Sequence, residues 1–445
     1  MQSTKHFVSL FKHKYLMSSL LNRFTKSEFL KNVFTLVSAT GIAQAISLLI
    51  YPVLTRIYTP EEHGLFALYM SIITITAIIS TGKYELAIMI PKKEKEGASL
   101  TLLGILLSLA FSFFLLIFIA LFYKQIPLWL GNEYIDKWIW FIPLSTFMVA
   151  IFQSLSYWSN RKKAYRAIAS ANLGQSIINS AVKLSSSKAM PYGGGLMTGA
   201  IVGQLAGALI YTIRLIRDGL DLFKSVGWSD IKKAARVHRF FPSFSMPHKL
   251  INNFSSSLPV FIFSLYFNAD IVGYFGLGFM LINRPMNLVS TSFTKVFSER
   301  VIANHNLGKL VYPDVRKFTQ RMAAIAVLPF LVIIIFAPWL VRIIFGEEWH
   351  ESGVYMQIFS PWLFMVFLSS PLSFVADMLS RQRKAMLLEV LKFALRALAL
   401  GVGVIMNDVY LALILFSGSS FIIVCYSLIW YLQLSKRADR GKIIK

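Results

Sequence analysis

Twelve apolar runs of about 20 residues follow one another along the chain, and an α-helix of that length crosses roughly 30 Å of hydrocarbon. They fall near residues 32–55, 64–81, 98–122, 138–158, 165–184, 194–216, 250–268, 271–295, 322–345, 354–377, 385–406 and 408–432. Water is the wrong solvent for such a chain. Of its 445 residues 56% are hydrophobic and 15% charged, where a soluble protein has about a quarter charged. A soluble enzyme of two or three domains is excluded, and the expected fold class is an all-α integral membrane protein. The fifth run is the most polar. Its ANLGQSIINSAV, Ala171 to Val182, must face protein or water rather than lipid.

A polar hinge joins the first two runs within PVLTRIYTPEEHGLFALYM, Pro52 to Met70. Thr59, Pro60 and Glu62 form a helix start: a hydroxyl N-cap, proline at the first helical position and a carboxylate three residues past the cap. Gly64 allows close packing just beyond it. The stretch returns 209 residues later, Gly273 standing for Gly64, in LPVFIFSLYFNADIVGYFGLGFM from Leu258 to Met280. Two related halves follow, each a six-helix bundle. The expected organisation is a basic N-terminal segment 1–31, bundles 32–217 and 250–433, a linker 218–249 and a basic tail 434–445.

The net charge of +24 is meaningful only once the cations are located. With the N-terminus, the even-numbered connections and the C-terminus taken as one side, that side holds 35 of the 45 lysines and arginines; the other holds six, and four lie within runs. The positive-inside rule makes the rich side cytoplasmic, with both termini there. The charge is thus read as orientation and anionic-lipid contact rather than as a nucleic-acid surface. The single cysteine, Cys425, permits no intrachain disulfide and no cysteine metal site. The N-terminal residues show no cleavable signal pattern, and no cofactor is expected.

The stretch TGKYELAIMIPKKEKEGASL from Thr81, following the hinge, resembles the Wzx-type oligosaccharide flippases. RFFPSFSMPHKLINNFSSSLPV, from Arg239, and VGYFGLGFMLINRPMNLVSTSFTKVFSE, from Val272, resemble the corresponding stretches of that family, and the likeness covers essentially the whole chain. It implies the fold of the multidrug/oligosaccharidyl-lipid/polysaccharide exporter superfamily: twelve transmembrane helices in two six-helix bundles around a central cavity open alternately to either side. It further implies a bacterial inner-membrane protein that translocates undecaprenyl-diphosphate-linked oligosaccharide for O-antigen or another surface polysaccharide, beside a polysaccharide polymerase and a chain-length regulator.

An ionisable group at bilayer depth is costly unless it faces a cavity or a partner. Glu389, Lys392 and Arg396 share one helical face, either as an internal ion-pair ladder or with one cation left for substrate. Arg284 precedes Pro285, which would bend its helix; its guanidinium either grips phosphate oxygens in two places or snorkels to the headgroups. Lys83 and Glu85, within KYELAI, form either a cavity feature or an interfacial pair. Asn252 and Asn253 head a polar face suited to sugar hydroxyls or to helix packing. The expected substrate-binding set is therefore Arg284, Arg396, Lys392, Lys83, Asn252 and Asn253, and the expected ion-coupling carboxylates are Glu389, Glu85 and Asp377.

No catalytic constellation emerges. The seven histidines are scattered, and neither HExxH nor a P-loop is present. Two rival readings remain: an exporter of small cationic drugs, whose cavity would be net negative, and a membrane polymerase or glycosyltransferase, which would need a sizeable outer loop or a nucleotide-sugar domain.

Overall fold

The computed structural model describes residues 41–441 apart from 188, 191, 218 and 219. The basic segment 1–31, residues 32–40 of the first expected span, Lys188 and the last four residues lie outside the described residues. Among those described there is no strand. The helices are α1 (Gly41–Leu54), α2 (Pro60–Thr81), α3 (Glu94–Phe122), α4 (Ile142–Arg161), α5 (Tyr165–Ser185), α6 (Gly194–Arg217), α7 (Met246–Tyr266), α8 (Ala269–Asn306), α9 (Tyr312–Phe345), α10 (His350–Ser369), α11 (Gln382–Ile405) and α12 (Val409–Asp439). Each stands at one of the twelve apolar runs.

Length and apolarity alone pick out fewer spans. Among the described residues six helical segments are long and apolar enough to cross a bilayer, and a seventh if the bent pair Glu133–Ile139 and Ile142–Arg161 counts as one. Three of the remaining helices, α5, α7 and α11, turn polar side chains toward other helices. For α5 the partner is α6, whose glycines recur every fourth residue. A Cβ on Gly203 would stand 2.7 Å from Asn179 Cβ and 3.0 Å from the Gln175 carbonyl oxygen, so only glycine lets the two backbones approach this closely. The other side of α5 meets α1, where Ser176 Oγ donates to the Ala43 carbonyl at 2.7 Å.

The hinge forms as its residues dictate. Glu62 N donates to Thr59 Oγ1 at 3.3 Å and Thr59 N to Glu62 Oε2 at 3.0 Å, a reciprocal cap that satisfies two free amides. Glu62 Oε1 also accepts from Gly193 N at 2.6 Å, fixing the hinge to the start of α6. Only Phe267 and Asn268 separate α7 from α8. The proline expected to bend α8 does not interrupt it: the helix runs 38 residues through Pro285.

The echo between the halves becomes a reciprocal contact. A Cβ on Gly64 would collide with the Ala269 carbonyl oxygen, and one on Gly273 would collide with the Pro60 carbonyl oxygen. These pairs exchange under the 209-residue offset. Two further contacts tie the flanking turns at the same end: Trp349 Nε1 donates to the Thr55 carbonyl at 3.0 Å, and Ser264 Oγ donates to the Leu130 carbonyl at 2.7 Å. The two halves are thus joined at one end of the bundle by a pseudo-twofold set of backbone approaches.

The opposite end carries most of the lysines and arginines. There the segment between the halves lies against the first half. Its short helix Trp228–Val237 buries Ile231 and Ala234 among Ala87, Ile88 and Ala98, and Tyr84 donates through its hydroxyl to the Ala235 carbonyl at 3.1 Å. At the same end Asp439 of α12 accepts from Val311 N and Tyr312 N, both at 2.8 Å, capping α9.

Candidate functional site

Between the halves, toward the basic end, lies a cavity of about 330 Å³. Met70, Ile73 and Thr74 of α2 form its apolar floor; Gln153 of α4, Gln175 of α5 and Gln204 of α6 present amides from the first half; Lys249 and Asn253 of α7 close it from the second. Asn253 Nδ2 is engaged by the Lys249 carbonyl at 2.9 Å, which leaves its carbonyl oxygen for a ligand donor.

Lys83 enters the cavity wall from the end of α2. Gly82 and Lys83 both adopt left-handed backbone, φ 57° and 61°, a conformation that costs a non-glycine residue on the order of 1 kcal/mol. This turn directs Lys83 onto Glu85, Nζ to Oε1 at 2.8 Å, with the Glu85 side chain 1% exposed. Glu85 Oε2 is buried without a hydrogen-bond partner. The pair is therefore enclosed beside the cavity and half satisfied.

The other expected residues divide into groups. On α11, Glu389 Oε2 accepts from Lys392 Nζ at 2.6 Å and from Asn252 Nδ2 at 2.9 Å. Arg396, one turn deeper, is 2% exposed. Its Nε donates to Ser420 Oγ at 2.7 Å and its Nη1 to Ser255 Oγ at 3.0 Å. The guanidinium lies 4.7 Å from the centroids of both Trp362 and Phe416. Asn252 and Ser255 sit on one face of α7, so this set forms a polar spine locking α7 to α11. Neither Arg396 nor Lys392 lines the cavity. Asp377 is exposed on the short helix Phe374–Met378, and its backbone carbonyl accepts from Gln382 Nε2 at 3.4 Å.

Arg284 stands apart from that spine. It is exposed, with its guanidinium 5.8 Å from the Tyr51 ring of α1, and it makes neither an ion pair nor a hydrogen bond among the described residues. Nearby is a second cation. Lys183 of α5 is 6% exposed, and its ammonium lies 4.3 Å from the Phe66 centroid with no carboxylate within ion-pair distance. Next to it, His63 is buried among Tyr51, Tyr58 and Trp349 at 5.8, 6.3 and 5.0 Å. Lys249, Lys183 and His63 are thus the residues that sequence reasoning passes over. Lys249 offers one signal, a lysine at the edge of an apolar run; the others become notable only through tertiary packing.

Comparison with known proteins fits this architecture. Residues 53–354 match the model of a family described as polysaccharide biosynthesis protein. A multidrug resistance MATE family transporter of the MOP superfamily, in its inward-facing conformation, superposes with a TM-score of 0.70 at 14% identity, covering 89% of this chain and 96% of that one. The lipid II flippase MurJ, inward closed, gives 0.68 at 12% identity with 90% of each chain covered. A MOP superfamily transporter from Pyrococcus furiosus gives 0.63 at 12% identity, covering 92% of this chain and 96% of that one. No curated protein sequence matches. At these identities the structural likeness carries the fold alone.

Proposed function

The chain belongs to the family of polysaccharide biosynthesis proteins, and on that premise we propose that it is a flippase for undecaprenyl-diphosphate-linked oligosaccharide repeat units. It moves them from the cytoplasmic to the outer face of a bacterial inner membrane by alternating access between bundles 32–217 and 250–433, for O-antigen or another surface polysaccharide. The basic end and both termini are cytoplasmic by the positive-inside rule. The observation that supports this most is the cavity lined from both halves by Lys83, Lys249, Asn253 and three glutamines, beneath a far end drawn together by Gly64 and Gly273.

A diphosphate leaving water needs fixed positive groups in place before it arrives. Lys83 and Lys249 meet it first, and Arg284 and Lys183 receive it nearer the outer end. The amides of Asn253, Gln153, Gln175 and Gln204 suit glycan hydroxyls, while the prenyl chain remains in lipid. Lys392, Arg396 and Asn252 act one step away, holding α7 so that Lys249 and Asn253 face the cavity. Of the three coupling carboxylates, Glu85 has the strongest position. It is buried beside the cavity with one oxygen unpaired, whereas Glu389 is engaged by two donors and Asp377 is exposed.

A cationic-drug exporter would need a net negative cavity, and here two lysines face one glutamate. A polymerase partner and a chain-length regulator act on the exported unit. The deciding measurement is mass spectrometry of lipid-linked glycans in a deletion strain, paired with a sugar-transfer assay on the purified protein. Accumulated full-length repeat units on the carrier, restored to export by the cloned gene, are expected. Loss of sugar transfer rather than of export would make the protein an enzyme.

A further inference from the structure

Outside the central cavity, a cluster of lysines lies where the linker between the halves meets the start of α3. A second cavity of about 400 Å³ opens there, with Lys92, Lys93, Lys95 and Glu96 on one side and Asp230 and Lys233 of the helix Trp228–Val237 on the other. Both carboxylates beside it are already engaged. Asp230 Oδ2 pairs with Lys95 Nζ at 2.8 Å and also accepts from Gly227 N at 3.0 Å. Glu96 Oε1 lies 3.4 Å from His238 Nε2. Lys92, Lys93 and Lys233 have no ion-pair partner among the described residues. The recess therefore holds four lysines against two carboxylates, and three of its ammonium groups form no ion pair.

The surroundings indicate where that anion comes from. Met89 and Ile90, which lead into the lysines, are 45% and 59% exposed, and Phe240 and Phe244, after the linker helix, are 59% and 61% exposed. Exposed apolar side chains flanking a basic recess at the end of two spans match a site wetted on one side and in contact with acyl chains on the other. On the cytoplasmic orientation proposed above, we infer that this recess binds the phosphate headgroup of an anionic phospholipid of the inner leaflet. The lipid phosphate bridges Lys92 and Lys93 of the first half to Lys233 of the linker, pinning the linker against the bundle. The site is separate from the transported substrate, so it stands or falls independently of the nature of the cargo.

The test uses the full-length protein in detergent, titrated with short-chain phosphatidylglycerol and read by native mass spectrometry, with phosphatidylcholine as the neutral control. Substituting lysine by glutamine should weaken phosphatidylglycerol binding about fivefold per residue, and about a hundredfold for Lys92→Gln/Lys93→Gln/Lys233→Gln together. Lys92→Arg/Lys93→Arg/Lys233→Arg should retain it, which separates a lost charge from a misfolded linker. Equal weakening by the distant triple Lys309→Gln/Lys317→Gln/Lys436→Gln would reduce the effect to general surface attraction and overturn the site. Full displacement of the lipid by millimolar inorganic phosphate would reassign it to a soluble anion, and undiminished binding by the first triple would remove it altogether.

Discussion

Arg396 carries a charge that no carboxylate within ion-pair distance neutralises, and its surroundings explain how the membrane interior tolerates it. Two serine hydroxyls accept from the guanidinium while two aromatic faces enclose it; such desolvated cation–π contacts contribute up to about 2 kcal/mol. Its removal leaves a void and takes the donor from two serine hydroxyls. Arg396→Ala is therefore expected to cost on the order of 3 kcal/mol, read as a lower melting temperature and less protein in the membrane, with export per molecule little changed. Arg284, exposed and unpaired, should behave in the opposite way: Arg284→Ala keeps the protein level and loses export, and Arg284→Lys restores part of it because one ammonium lacks the bidentate fork. Equal loss of protein in both variants would sink the assignment of Arg284 to substrate. The pair Lys83 and Glu85 gives a second residue-level test. Lys83→Gln strands a buried carboxylate, a change that typically costs about 3–5 kcal/mol, so its first effect should be poor accumulation. Adding Glu85→Gln should recover accumulation but not export. Wild-type export by the double variant would mean that the pair serves folding alone.

Helix positions were legible in the sequence, and helix ends less so, for a physical reason. Apolarity marks the stretch that meets hydrocarbon, whereas a helix continues as long as its residues favour it. Thus α8 extends to Asn306, α9 begins at Tyr312 and α12 reaches Asp439, each projecting past its apolar run through charged residues that are good helix formers. The hinge was legible to the atom level, since Thr59, Pro60 and Glu62 specify one cap geometry. The contact that Gly64 makes was not, because close approach depends on a second helix. That contact sets a prediction for the α2–α8 element. A side chain at Gly273 must push α2 away at the Pro60 carbonyl, so Gly273→Leu should loosen the far end. In a Cys425→Ser background with Thr74→Cys, a membrane-impermeant thiol reagent added outside should label position 74 faster when Gly273→Leu is present; an unchanged rate would show that the crossing is no seal. The linker element responds to acid instead. Its Asp230 carboxyl is held below its ordinary 3.8, first by the hydrogen bond from Lys95 and then by that from Gly227 N. A depressed acid stabilises docking at pH values above its undocked pKa, and that contribution disappears as pH falls through the docked value. Protease cleavage of the linker in inside-out vesicles should accordingly stay constant from neutral pH down to about 4 and rise below it; Asp230→Asn should cleave faster at neutral pH and lose the acid step.

At the scale of the whole molecule, two independent observations divide the connections into the same two sets. One is the distribution of lysine and arginine, which needs no structure. The other is contact. The bonds from Tyr84 to Ala235 and from Lys162 to Glu94 bring together the regions near residues 90, 163 and 230, and Asp439 ties the last helix to the start of α9. Trp349 with Thr55 and Ser264 with Leu130 bring together the regions near 60, 130 and 348. The central site was less legible than this frame. Lys83 could be named from sequence as part of KYELAI and Asn253 as part of a polar face in an apolar run, but Lys183 sits at the end of a span, where a lysine is ordinarily solvated, and only its packing against Gly199 of α6 and Phe66 of α2 encloses it. The agreement of charge and contact makes topology the strongest global prediction. Fusions of a cytoplasm-dependent reporter near residues 90, 163, 230, 305 and 383 should be active, and fusions of an exterior-dependent reporter near 60, 130 and 348 should be active in turn. If α1 and α7 start from the same side, residues 32–216 should superpose on 250–432 about an axis along the membrane normal rather than by inversion. An inverted signal for every fusion after α5 would delete one span, break the 209-residue correspondence of Gly64 with Gly273, and leave their reciprocal contact without a symmetry to explain it.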